Sequence, residues 1–155
     1  MLTSSDVHNY LEERGVAHEM LPLSDESPTA ELAAELLGVS VTDVVKSLLF
    51  VADGAPVLVL APGDARIGTD RLARALGAAR VTLARAQDVL ATTGYRVGAV
   101  PPFGLARELP VVADPGAFAP PVVYCGGGAA ATMLKIRSAD LRALLDPLVA
   151  EVADR

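Results

Sequence analysis

Two apolar runs, VVKSLLFV (residues 44–51) and PVLVLA (56–61), constrain the fold more than any other feature. Each has strand length and is rich in Val and Leu. The four residues between them, ADGA, contain the Asp53-Gly54 pair that favours a tight hairpin turn. Apolar residues occupy both faces of the first run, as in a strand covered on both sides. Lys46 stands in its middle, among Val44, Val45, Leu48, Leu49 and Phe50. An unpaired ammonium in such surroundings is costly, so it must reach water, a carboxylate or an anionic ligand. Two readings stay open: an edge or snorkelling lysine with a packed stem and a wet head, and a ligand-binding lysine.

The rest of the chain alternates helix and strand signals. Thr3, Ser4 and Ser5 offer N-caps to a first helix in which Val7, Tyr10 and Leu11 form one stripe, ending at Gly15. Residues 16–23 read as extended and 24–30 as a polar loop. Helices are predicted over 30–38, 69–77, about 85–93 and 138–152, the second capped by Thr69 and the last by Ser138. Strands are predicted at RVTLA (80–84), 110–113, 121–125 and 130–136, with a loop at 62–68. Hairpin-type strands beside crossover helices predict an α/β fold, a mixed and mostly antiparallel sheet flanked by helices. No repeat or linker divides the chain, so one domain over 1–155 is expected.

Composition agrees. Hydrophobic residues make up 52% and charged residues 21% of 155, while aromatics reach only 4% and Trp is absent, so the core must be built from Val, Leu and Ala. Cys125 is the single cysteine, which rules out an internal disulfide and fits a reducing compartment. The N-terminus lacks the pattern of a signal peptide, and no apolar run reaches the ~20 residues of a membrane helix. A cytoplasmic protein with neither membrane nor DNA as partner is expected. The net charge of −6 argues against a polyanion, but residues 1–40 hold eight acids and one base, leaving the remainder slightly positive. Six arginines (66, 71, 74, 80, 85, 96) fall between Asp64 and Arg96. A solvated, ion-paired face is favoured there over a phosphate-binding surface.

Two glycine-bearing stretches are candidates for ligand contact. In VGAVPPFG (97–104) the glycines allow close backbone approach, the prolines stiffen the loop, and the amides of Gly98, Ala99 and Val100 could converge on an oxyanion. In YCGGGAA (124–130) a flexible hairpin is favoured over a ligand-contacting loop. Cys125 reads as a small buried hydrophobe. His8 and His18 are the only histidines; no metal-ligand spacing, nucleophile elbow or phosphate-binding loop is present, so neither metal nor cofactor is expected.

VVKSLLF, then LVLAPGDARIGTDRLARALGAARVTLARAQDVLATTGYRVGAVPPFGL, then VYCGGG and LKIRSADLRALL together resemble the YbaK / prolyl-tRNA-synthetase-associated family of editing domains, over roughly residues 20–147. The strand lysine combined with TGYxVGxVxPFG is the specific part. The resemblance implies a mixed α/β fold and hydrolysis of the ester of mischarged tRNA bearing a small amino acid of the Ala, Cys, Ser or Pro type. It implies that Lys46 holds the terminal nucleotide of the tRNA. The loop of Gly98, Ala99, Val100, Pro101 and Pro102 would shape the aminoacyl pocket, with Phe103, Gly126 and Gly127 lining the same cleft. Ala99 and Pro101 depart from common family versions, and Asp114 is expected to do no more than cap a turn. The implied partners are the 3′ end of aminoacyl-tRNA and an aminoacyl-tRNA synthetase. A non-catalytic tRNA- or synthetase-binding module is the alternative, and a small phosphate-binding protein a weaker one.

Overall fold

The computed structural model describes residues 1–154. Helix α1 (Ser4–Glu13) opens with the Asp6 carboxylate accepting from the Thr3 amide at 2.7 Å. Strand β1 (His18–Pro22) and helix α2 (Ala30–Leu37) follow, then a 3-10 turn (Val41–Asp43) into the hairpin of β2 (Val44–Ala52) and β3 (Ala55–Pro62). Asp53 and Gly54 both take positive φ, 48° and 82°, as a tight two-residue turn requires. The Asp53 carboxylate accepts from the amides of Ala79 and Arg80, which pulls its pKa down and ties the turn to the chain after the next helix.

Next come β4 (Arg66–Ile67), α3 (Thr69–Leu76), β5 (Val81–Leu83) and α4 (Ala86–Thr93). The second half holds β6 (Val111–Ala113), β7 (Val122–Ala129), β8 (Thr132–Arg137), α5 (Ser138–Leu145), β9 (Leu148–Val149) and β10 (Ala153–Asp154). The main sheet runs β1-β8-β7-β2-β3-β6-β9, with β5 also on β2, and β10 pairs with β4 in a two-stranded sheet. Three pairings, β2–β7, β3–β6 and β6–β9, are parallel and the others antiparallel. The expected mixed, mostly antiparallel sheet flanked by helices is therefore found.

Period-2 alternation builds a core on each face. Leu58 and Leu60 pack with Val45, Leu49, Val7 and Leu11 of α1, Val89 of α4 and Leu141 of α5. Their neighbours Val57 and Val59 point the other way, onto Phe50 and Leu72 of α3. Ala33 and Ala34 of α2 cover Val44 and Met133. Each fully buried Leu or Val contributes roughly 1.5–3 kcal/mol by leaving water.

Two expected elements are corrected. The helix foreseen over 138–152 stops at Leu145: Pro147 disfavours a helical residue before it, and Asp146 turns to φ 42°. The chain then pairs in parallel with β6 as β9. Likewise Gly126–Gly128 is no hairpin loop but part of β7, where the register shifts between Gly126 and Ala129. Gly127 must be glycine because a Cβ would lie 2.7 Å from the Thr132 carbonyl oxygen of the partner strand.

Asp114 does more than cap a turn. Fully buried, its carboxylate accepts from the Gly116 amide at 3.0 Å and from the Val152 and Ala153 amides at 3.1 Å each. It thereby holds the C-terminal segment against the sheet. Asp114→Ala would strand these buried donors and should lower stability by about 3 kcal/mol or more, measurable as a reduced urea midpoint.

Candidate functional site

The site arises from a break in the sheet. β3 runs along the whole of one side of β2, but on the other side β7 pairs only at Val44–Val45 and β5 only at Phe50–Ala52. The carbonyl of Leu49 accepts from the Ala84 amide, leaving the edge around Ser47 without a strand partner. Leu58 and Leu60 bond outward to Pro110 and Asp114, so Val59 and Ala61 face β2 and pair with Leu48 and Lys46. By the same alternation the N–H and C=O of Ser47 point into the gap. A cleft of about 320 Å³ occupies it.

Three elements close the cleft. Ser27, Pro28, Thr29 and Glu31, around the start of α2, form one wall. Thr29 caps that helix, its hydroxyl accepting from the Leu32 amide at 3.1 Å. Val97, Gly98 and Val100 form the facing wall, and Leu83 and Ala84 the rim beside it. The floor is apolar: Ala33, Val44, Val45, Leu49, Val89 and Met133.

Lys46 and Glu31 are the charged residues lining the cleft. Lys46 is half-buried, and its Nζ donates to the Gly63 carbonyl at 3.4 Å, a long contact with a neutral acceptor. Among the described residues it makes no salt bridge. Gly63 is itself wedged against the 3-10 turn, where a Cβ would lie 2.7 Å from the Val41 carbonyl oxygen. The ammonium is thus held by its stem and left with donors available inside a largely apolar cleft.

The loop after α4 is built to present backbone there. Thr93 is buried at the end of α4; its hydroxyl donates to the Val89 carbonyl at 2.7 Å and accepts from the Tyr95 amide at 3.1 Å. Gly94 takes φ 84° to leave the helix, and Tyr95 is buried. Beyond the cleft wall, Pro101, Pro102 and Phe103 are also buried, and Phe103 stacks on Tyr10 with ring centroids 5.0 Å apart. Between these two anchors Gly98 adopts φ 85°, and a Cβ there would lie 3.9 Å from the Pro28 carbonyl oxygen, in ordinary van der Waals contact. Gly126 underlies the loop: a Cβ on it would collide with the Val100 carbonyl.

Of the residues singled out from sequence, Lys46, Gly98, Val100 and Gly126 therefore meet at the cleft, whereas Ala99, Pro101, Pro102, Phe103 and Gly127 lie outside its lining. Of the three amides expected to converge, one is already engaged. The Ala99 amide is engaged with the Arg96 carbonyl at 3.0 Å, and its carbonyl accepts from Gly128. Those of Gly98 and Val100 meet no protein acceptor among the described residues. Sequence reasoning missed the α2 wall and Ser47. Among the described residues the hydroxyl of Ser47 is buried without a partner, on a strand face it shares with Val45 and Leu49. A polar residue in that apolar alternation was the available signal. Of the arginine-rich segment, Arg71 and Arg85 are ion-paired with Asp154 and Asp88, and Arg96 is exposed beside Val97.

Lys46 and the Gly98 loop thus both line a cleft at an opened strand edge of a mixed α/β sheet. Residues 24–144 match the family described as the aminoacyl-tRNA editing domain, and the chain belongs to that family. Among relatives, the proline–tRNA ligase of Bacillus licheniformis is 41% identical over 86 residues, 56% of this chain and 15% of the ligase. The uncharacterized protein YwhH of Bacillus subtilis is 36% identical over 98 residues, 63% of this chain and 62% of YwhH. The chain thus spans a small part of the ligases and less than two thirds of YwhH. Among solved structures, hypothetical protein APE2540 has a TM-score of 0.90 at 33% identity, covering 96% of this chain and 99% of that one. A protein provisionally described as a trans-editing enzyme for prolyl tRNA synthetase also scores 0.90, at 29% identity, with both chains covered in full.

Two outcomes follow from this geometry. Gly126→Ala should push the 97–100 loop off the sheet and destabilise the fold by roughly 1–3 kcal/mol, seen as a lower thermal midpoint. Burial pushes the Cys125 thiol up to about 12. It stays protonated in the folded chain where a free thiol, near 8.5, ionises. An aromatic disulfide reagent at pH 8 should therefore label Cys125 in urea and leave the native protein unlabelled. Because only the unfolded chain releases that proton, its contribution to stability falls as pH rises above the free value.

Proposed function

We propose that the chain is a trans-acting aminoacyl-tRNA deacylase that hydrolyses the ester of mischarged tRNA bearing a small amino acid of the Ala, Cys, Ser or Pro type. The observation that carries this reading is Lys46, an ammonium inside an apolar cleft with a single long bond to a carbonyl. A group so placed is suited to an anionic substrate, and the phosphodiester beside the terminal nucleotide of tRNA supplies one. Family membership supports the same reading.

The chemistry needs little more. An aminoacyl ester is already activated, so holding it still and stabilising the developing oxyanion lowers the barrier. The free amides of Gly98 and Val100 are the donors for the carbonyl oxygen. Water attacks the carbonyl carbon and the ester C–O bond breaks. The ribose oxygen takes up a proton, giving the free amino acid and a tRNA with its terminal hydroxyl restored. The apolar floor of Ala, Val, Leu and Met supports a small, weakly polar aminoacyl group as the guest. A second, size-selecting site is useful because one methylene offers only about 1–3 kcal/mol of discrimination to a synthetase. The described residues include no helix long and apolar enough to cross a membrane. An aminoacyl-tRNA synthetase, of the prolyl type that the relatives suggest, is the partner beside which such an enzyme acts.

The test is deacylation of labelled Ala-, Cys-, Ser-, Pro- and Thr-tRNA, with Leu- and Phe-tRNA as large controls. Hydrolysis of one or a few small esters is expected, with Lys46→Ala slowing it at least about a hundredfold while the thermal midpoint stays unchanged. Tight tRNA binding without turnover on any ester would replace this reading by that of a binding module.

A further inference from the structure

His8, Glu12 and His18 lie outside the cleft and have no part in the proposed deacylation. His8 and Glu12 are four residues apart on α1 and so share one face of the helix. After α1 the chain turns back on itself. The Gly15 amide bonds to the Glu12 carbonyl and the Val16 amide to the Leu11 carbonyl, and Gly15 adopts φ 65°. This reversal sets His18, the first residue of β1, against His8.

The ring atoms converge. Nδ1 of His8 and Nε2 of His18 are 2.9 Å apart, with ring planes tilted by 54°. A Glu12 carboxylate oxygen joins them, so that the three ligand atoms all lie within 4.8 Å of one another. Two nitrogens on one tetrahedral zinc ion, at 2.0–2.1 Å each, stand about 3.3 Å apart. The pair is therefore close to the spacing of joint ligands and needs only a small opening to admit an ion.

A second observation bears on the tautomer. Nδ1 of His18 is 2.8 Å from the Val16 carbonyl oxygen, and a carbonyl can only accept, so the proton sits on Nδ1. Nε2 of His18 is then a lone pair directed into the cluster. Metal-ligating histidines recurrently have this arrangement, in which the far nitrogen is tied to a backbone carbonyl. His8 and Glu12 are exposed and His18 half-buried, which gives an ion an open path of entry.

We propose that His8, Glu12 and His18 bind a divalent transition ion of the zinc class, leaving a fourth position for water. Two imidazoles and one carboxylate match the preferences of zinc and its neighbours, whereas calcium and magnesium favour all-oxygen sets. On binding, the proton that His8 Nδ1 shares with His18 Nε2 in the metal-free chain is exchanged through solvent to Nε2 of His8, so both imidazoles stay neutral and the ion takes its place between them. The bound ion links α1 to β1, and through the β1–β8 pairing it fastens the first 22 residues to the sheet.

The experiment is calorimetric titration of zinc chloride into the untagged, metal-stripped full chain, alongside thermal unfolding with and without zinc. One equivalent is expected to bind and to raise the midpoint. His8→Ala, Glu12→Gln and His18→Ala should each weaken binding at least about tenfold and reduce the zinc-dependent rise, with an unchanged far-UV spectrum confirming the fold. Lys46→Ala should bind zinc as the wild type does, which separates this site from the deacylase reading. Absence of saturable zinc binding would overturn the proposal. So would one equivalent bound equally well by all three variants.

Discussion

The divided edge of β2 is the constraint on which the rest depends. A strand in the middle of a sheet normally satisfies its backbone on both sides. Here β7 and β5 share one side of β2 and meet neither each other nor its centre. Around Ser47 the backbone must therefore face water or a ligand, and a cleft forms where a continuous sheet would have none. Lys46 falls at that opening, which is how its stem can lie among Val and Leu while its ammonium keeps access to a polar guest.

Close packing around glycine holds the opening in shape. Gly63 lets the segment after β3 approach the 3-10 turn, and its carbonyl is the partner of Lys46. Gly126 lets the 97–100 loop rest on β7. The buried Pro101, Pro102 and Phe103 act on the site through this loop without reaching the cleft, since they fix the end of a backbone whose middle must stay exposed. A rigid base beneath a short bare stretch is a way to present amides without paying their ordering entropy on binding.

Much of the fold was legible in local patterns. The hairpin at Asp53-Gly54, the helices ended by Gly38, Gly77 and Gly94, and the alternating apolar runs all follow from short-range rules. They appear where those rules put them. The errors came where a local stop signal was passed over and where long-range contacts prevail over local preference. Val149 to Ala153 has helical composition after SADLRALL, but Pro147 interrupts the helix and the buried Asp114 carboxylate captures the Val152 and Ala153 amides. The triple glycine reads locally as a loop, and it is strand because β8 supplies a partner and only glycine fits beneath it.

The sequence by itself determined the elements, the two-sided core and the two notable pieces of the site, the strand lysine and the glycine-proline loop, because each rests on spacing within a few residues. Tertiary structure alone decided that these pieces face one another. It also decided that the start of α2 walls the cleft, that the Ala99 amide is engaged by Arg96 while those of Gly98 and Val100 meet no acceptor among the described residues, and that two histidines ten residues apart touch. Those outcomes depend on which strand edge is left open and on how the chain reverses after α1. They are settled by the joint packing of distant segments, which no local pattern encodes.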